Sequence, residues 1–341
     1  MADKGFVHLH LHTQYSLLDG AIAPAKLFAR CKELGMESVA ITDHGNMFGA
    51  VDCYSRGLSA GVKPIIGMEA YVAPGSRFDR TKGGIKDASA HLVLLAENNI
   101  GYKNLLKLSS AGYTEGFYYR PRIDKEILAQ WREGIIVCSA CLGGVVAKWL
   151  NKGDADAALK EAEDYAKIFG PEHFFIELQK HEGDVPDVND GLTDIANKLG
   201  LPLVVSNDVH FLNADDYEAH GCLTCISTGK QFDDENRMVY PPNVYLKSPQ
   251  EMRALFAEVP EACDNTVAIA ERCNVEIDLK SQHAPRYQPP GDISPEDYLT
   301  QLVYEGAERL YGEITEEIKE RIERELDVIE GKGFSSYFLI V

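Results

Sequence analysis

Through about residue 207 the chain alternates short, continuously apolar runs with longer amphipathic stretches. The apolar runs predict seven strands: Phe6–His12, Ser38–Thr42, Pro64–Val72, His91–Ala96, Gly134–Ser139, Phe174–Gln179 and Pro202–Asn207. Helical periodicity lies between nearly all of them, at Pro24–Leu34, Met47–Ala60, Tyr102–Ala111, Ala155–Phe169 and Asp190–Leu199. Strands that are apolar on both faces and alternate with helices point to a parallel sheet covered by those helices. Seven such units in succession predict an α/β fold whose sheet closes into a barrel.

Beyond Asn213 the pattern turns helical, at Asp215–Thr228, Pro249–Phe256, Glu261–Arg272, Pro295–Tyr311 and Glu316–Glu330. The stretch Ala284-Pro285-Arg286-Tyr287-Gln288-Pro289-Pro290-Gly291 reads as a linker, which places a boundary between residues 1–285 and 286–341. The apolar end Ser336–Val341, without cap or polar tail, reads as the cut edge of a longer protein.

Composition narrows the possibilities. The 341 residues are 45% hydrophobic, enough for one large core or two domains. There is no run of about 18 apolar residues and no signal-peptide pattern, so a cytoplasmic protein without membrane contact is expected. Eight dispersed cysteines fit a reducing compartment. The net charge of −19 argues against a free-standing nucleic-acid binder, because phosphate neutralisation supplies most of such affinity. Any DNA or RNA would have to be presented by another part of a larger protein.

The chemistry concentrates at strand ends, where parallel α/β folds place function. His8-Leu9-His10-Leu11-His12 puts three imidazoles on one face of a strand, each about 6.6 Å from the next and the outer pair about 13 Å apart. At most two of them can share one metal. Asp19 follows. The second strand ends in Thr42-Asp43-His44-Gly45, where Asp43 is either a functional carboxylate or a turn residue. Glu69 is a carboxylate inside an apolar strand and needs a partner. Cys138 and Cys141 follow the fifth strand, Glu177, Gln179 and His181 the sixth, and Asn207-Asp208-Val209-His210 the seventh. His91 stands apart, at the start of its strand. Cys138/Cys141 with Cys222/Cys225 form an alternative four-cysteine zinc pattern, but the second pair lies in a helical stretch where cysteines pack as small hydrophobes.

His10-Leu11-His12-Thr13, Thr42-Asp43-His44-Gly45, Glu69, His91 and Asn207-Asp208-Val209-His210 resemble the polymerase-and-histidinol-phosphatase (PHP) phosphoesterase family. Within it, the likeness is closer to the PHP domains of bacterial replicative polymerases, the DNA polymerase III α-subunit family. Tyr15–Gly20, Gly45–Ala50, Pro64–Gly67, Glu97–Leu105 and Gly333–Val341 carry it further. The resemblance implies a distorted seven-stranded barrel at residues 1–285 and the helical beginning of a polymerase thumb and palm region at 286–341. The palm aspartates would lie further on, so polymerisation is not expected of this stretch.

It also implies three divalent metal ions, with zinc expected and manganese or iron as alternatives. His10, His12, Glu69 and Asp208 would hold one; Glu69 would bridge to a second held by His91 and Cys141; Asp19, His44 and His210 would hold the third. Asp19 and Cys141 stand where small phosphatases of the family carry histidine. Asp43 is the expected catalytic residue, which would either orient a ligand histidine or accept a proton. Residual positive charge would attract a phosphodiester and activate water. The implied function is a 3′→5′ proofreading exonuclease acting on a DNA 3′ end, partnered by the rest of the polymerase chain and by replisome subunits. A small-molecule phosphatase and a structural metal module are the alternatives. Arg77, Arg80 and Lys82 in the basic loop after strand three, and Arg120 and Arg122 in Tyr118–Arg122, are the candidate substrate contacts.

Overall fold

The computed structural model describes residues 5–17, 19–81, 88–183, 187–281 and 285–341. They fall into two compact units, Met1–Ile277 and Asp278–Val341. The division precedes the linker at 284–291 from which the sequence pattern placed its boundary.

The first unit is built on a curled, mixed sheet. Its strands are β1 (Ser38–Ile41), β2 (Lys63–Val72), β3 (Ala90–Ala96), β4 (Phe117–Tyr118), β5 (Arg120–Ile123), β6 (Ile135–Cys138), β7 (Phe174–Gln179) and β8 (Leu203–Ser206). The pairing runs β1–β2–β3–β6–β7–β8, with the β4–β5 hairpin added to the far end of β2. Six of the seven expected strands form within a residue or two of their predicted bounds. No described helix is long and apolar enough to cross a membrane.

Two expectations are corrected. The sheet is not wholly parallel: β3 runs antiparallel to both β2 and β6. A parallel partner needs a long, usually helical crossover, and no helix is described between β2 and β3. Reversal puts the start of β3 at the same rim as the ends of its neighbours, so His91 pairs with Tyr71 near the end of β2. That explains the one metal-competent residue that lay at the wrong end of its strand.

The second correction concerns residues 6–12, which form an extended segment rather than a ladder strand. Ala40 N donates to His8 O and Thr42 N to Leu11 O, on the β1 side. Val209 N donates to His10 O, and His12 N to Val209 O, just beyond β8. The segment therefore joins the two edges of the curled sheet as a seventh member. Side-chain hydroxyls interrupt its ladder: Leu11 N donates to Thr42 Oγ1 and Val7 N to Thr266 Oγ1.

Inside the ring, Ala40, Ile65, Val93, Leu95, Ile136, Phe175 and Val204 form one buried cluster drawn from all six strands. A larger core fills the space between sheet and helices, with Leu92, Leu94, Leu105, Val137 and Tyr165 among its members. The two-residue strand period places Glu69 on the face of Ile65, His91 on that of Val93, and Glu177 on that of Phe175. A polar layer thus sits directly above an apolar one. Several helices start at side-chain caps: Asn98 accepts from Ile100 N and Gly101 N, Asp154 from Ala157 N, and Ser248 forms a capping box with Glu251.

The second unit contains the helices Pro295–Tyr311, Glu316–Gly331 and Ser335–Ile340, with Leu299, Ala307 and Leu326 buried.

Leu11 is fully buried among Ile22, Leu27 and Phe28 in the segment that joins the sheet edges. Leu11→Ala is expected to cost about 2–5 kcal/mol, read as a lowered midpoint in chemical denaturation.

Candidate metal centre

Nine residues from the segment and the strand ends meet at one rim. Glu69 is at the middle, 1% exposed. Its Oε1 lies 2.9 Å from His91 Nδ1 and 3.3 Å from His10 Nε2; its Oε2 lies 2.6 Å from His44 Nδ1 and 3.4 Å from His12 Nε2. Asp208 Oδ1 is 3.2 Å from both His10 Nε2 and His12 Nε2. Asp19 Oδ2 is 3.2 Å from His44 Nε2. Cys141 Sγ lies 3.7 Å from His91 Nδ1 and 3.8 Å from Glu69 Oε1. The His210 ring stacks on His12 at 4.4 Å.

Three overlapping groups offer converging ligand atoms: His10, His12 and Asp208; His44, Glu69 and His91; His12, His44 and His210. The first and second match sets expected from the sequence in part. The third draws His12 towards His44 and His210.

The donor set fits metal ions on evidence internal to the protein. His10 Nε2, His12 Nε2, His44 Nδ1, His210 Nε2, Glu69 Oε2, Asp19 Oδ1 and Asp208 Oδ1 are all buried without a hydrogen-bond partner. Several of these atoms lie close together, yet they do not point at one another, as atoms aimed at a shared cation would not. So many orphaned polar atoms are costly unless something binds them. Meanwhile the opposite ring nitrogens are held. His10 Nδ1 contacts Glu177 Oε1 at 2.8 Å, His12 Nδ1 contacts Ser16 Oγ at 3.0 Å, and His210 Nδ1 donates to Asp208 O at 2.7 Å. A held Nδ1 fixes each ring and turns Nε2 inward as a lone pair, the usual support of a metal-bound histidine.

Charge balance points the same way. Burial opposes ionisation of Glu69, yet His91, His44 and His10 hold its carboxyl well below the usual range. Burial likewise disfavours charge on Asp208 and is outweighed by His10 and His210. Burial works against a proton on His10, but Asp208, Glu177 and Glu69 keep one there in the protein alone. For Cys141, burial and then Glu69 push the thiol well up, so a thiolate there calls for a neighbouring cation.

Local backbone serves the same end. Asp208 has φ 47° and Ala140, just before Cys141, has φ 65°. Left-handed non-glycine residues of this kind persist where surrounding structure overrides their strain. Beside Asp208, the Asn207 amide donates to Asn243 O and Tyr245 O at 2.8 Å each, and Lys247 Nζ donates to Asn207 Oδ1 at 3.2 Å. His8 lies outside the cluster, its Nε2 donating to Lys247 O at 2.9 Å.

Several expected site residues have other work. Asp43 is 1% exposed and accepts from Thr13 N at 2.6 Å and Thr13 Oγ1 at 3.0 Å. It braces the loop that follows His12. Arg77 pairs with Glu115 at 2.7 Å and Asp124 at 3.2 Å. Arg122 is 2% exposed and donates to the carbonyls of Gly116, Ala88, Arg77 and Asp79. Both are structural rather than free for substrate. Arg80 is exposed and reaches Glu115 O at 3.5 Å, and Lys82 lies outside the described residues. Among the described candidates, Arg120 alone approaches the centre: it lies over the Tyr71 ring at 5.5 Å, and that ring stacks on His44 at 5.6 Å.

The supporting roles of Ser16, His220 and Tyr240 were not expected. His220 Nε2 donates to Asp19 O at 2.7 Å, and Tyr240 packs on His210 at 4.4 Å. No group of three cysteines gathers among the described residues, so the four-cysteine alternative does not form.

This fold and this cluster define a metal-binding PHP domain, and the chain belongs to the PHP family, whose model matches residues 8–181, just over half of it. Residues 297–341 match the model of the bacterial DNA polymerase III alpha NTPase domain. Among curated relatives, DNA polymerase III subunit alpha of Treponema pallidum is 46% identical over all of this chain and 29% of its own length. That of Borreliella burgdorferi is 44% identical over 98% of this chain and 30% of its own. The chain thus spans less than a third of the length of the relatives it matches. A putative metal-dependent phosphoesterase from Bifidobacterium adolescentis is a distant structural likeness, at 16% identity and a TM-score of 0.38 over 60% of this chain and 87% of its own.

Two outcomes follow for the centre. Chelation is expected to lower the thermal midpoint and zinc or manganese to restore it, since a ligand at about 100 times its Kd adds about 2.7 kcal/mol. Glu177→Ala, which frees the His10 ring, is expected to weaken metal affinity about 10–100-fold in a chelator-competition titration.

Proposed function

We propose that this domain is a metal-dependent phosphodiesterase that removes nucleotides from DNA 3′ ends, a 3′→5′ proofreading exonuclease within a replicative polymerase. The observation that carries the reading is the convergence of nine metal-competent residues, seven of which carry a buried polar atom without a hydrogen-bond partner. The similarity to DNA polymerase III α subunits supports DNA as the substrate, and the rest of such a chain with its replisome subunits as partners, in the cytoplasm.

In this reading three divalent cations, zinc or else manganese or iron, are held by His10, His12, Asp19, His44, Glu69, His91, Cys141, Asp208 and His210. Mixed nitrogen, oxygen and sulfur ligands suit zinc. Bound cations would supply Lewis acidity and lower the pKa of water near a phosphodiester. The chain's own part is to hold the ligands. Glu177 and Ser16 set the His10 and His12 rings, and Asn207 fixes the backbone that presents Asp208. Arg120 stands beside Tyr71 as the cation placed to meet the substrate backbone.

The test compares metal content and digestion of 3′-labelled single-stranded and mispaired DNA between wild type and Asp208→Asn. The wild type should carry metal and shorten both substrates, and the variant should lose about 100-fold or more in rate. A metal-loaded wild type that ignores DNA but hydrolyses simple phosphate monoesters would overturn the exonuclease reading in favour of a small-molecule phosphatase. A variant that loses only thermal stability, with no activity in either protein, would leave a structural metal module.

A further inference from the structure

A cavity of about 260 Å³ lies beside the cluster, with Cys141 and Glu177 forming the wall nearest to it. Gln179 and His181 continue its polar side, and Leu142 and Val188 contribute an apolar side. Lys180, which also lines it, is paired with Glu258.

A chain of hydrogen bonds fixes what His181 offers. The Gln179 amide nitrogen donates to Glu177 Oε1 and Ser206 Oγ, at 3.0 Å each. The amide oxygen therefore faces His181, whose Nε2–H donates to it at 2.9 Å. With the hydrogen on Nε2, Nδ1 is left as an acceptor. That atom is buried and has no partner. Burial, opposed by Asp208, lowers the pKa of this ring below the ordinary histidine value, in keeping with a neutral imidazole. A neutral acceptor next to the Glu177 carboxylate favours a group that donates hydrogen bonds over a second phosphate. The apolar side suits a flat ring. The volume sits just below the ~300–1,000 Å³ of drug-sized pockets, room for one nucleoside rather than two.

We propose that this cavity seats the nucleoside of the terminal residue while its phosphate lies at the metal cluster, with His181 Nδ1 accepting from a base N–H or a sugar hydroxyl. The assignment rests on the phosphodiesterase reading above.

The probes are thymidine 5′-monophosphate and inorganic phosphate, titrated calorimetrically into the metal-loaded 341-residue chain. In the wild type the nucleotide should bind about tenfold tighter than phosphate or better. Leu142→Trp fills the cavity and His181→Phe removes the acceptor; each should cut that advantage to about twofold or less. Metal content and circular dichroism, measured on each variant, show that it is folded and loaded. Equal affinity of the two probes in the wild type, or an undiminished advantage in both variants, overturns the assignment. Calorimetry needs no turnover, so the two ideas fail separately. A chain that prefers the nucleotide yet cuts no DNA overturns the exonuclease alone. A chain that cuts DNA without preferring the nucleotide overturns the cavity alone.

Discussion

The carboxylate of Glu69 is buried with four imidazoles within 3.4 Å, and the first unit is arranged around that charge. An isolated ionised carboxylate there would cost many kcal/mol. It is tolerated because every flank supplies a compensating group from a different part of the ring: His10 and His12 from the bridging segment, His44 after β1, His91 from β3. Removing any one partner leaves the others buried and mismatched, which is why buried charge clusters punish partial loss more than complete replacement.

The barrel makes this concentration possible by stacking layers. Ile65, Val93 and Phe175 close the lumen beneath, and an even step of two or four residues along the same strands brings His91, Glu177 and Glu69 into the layer above. Apolar packing holds the strands so that the polar layer need not hold itself. Its inward atoms can then stay uncommitted to one another, at a cost the core below offsets.

Much of this was legible along the chain. Apolar runs located six strands, and the pairs His10/His12 and Asp208/His210 showed metal-binding spacing directly. Three features were hidden for separate physical reasons. Residues 6–12 have the alternation of a strand, but Thr42 places its hydroxyl where a ladder bond would go, and no local pattern announces a partner thirty residues away. Arg77 and Arg122 look like free cations until Asp124, Glu115 and a set of carbonyls arrive from elsewhere in the fold. Supporting groups such as Ser16 and Tyr240 carry no signal of their own, because they act only through the ring they touch. The reversal of β3 did leave a trace: a glycine-rich, charged stretch without helical period is a poor crossover.

That reversal has a consequence for how the mouth of the barrel can vary. The connection from β2 to β3 leaves and returns at the same rim, so it never has to traverse the outside of the sheet. Extra residues there would leave every strand pairing undisturbed, and each doubling of a flexible loop adds only about 0.6 kcal/mol of closure entropy. The scaffold is thereby partitioned into strands that must stay fixed and a connection whose length is free to drift.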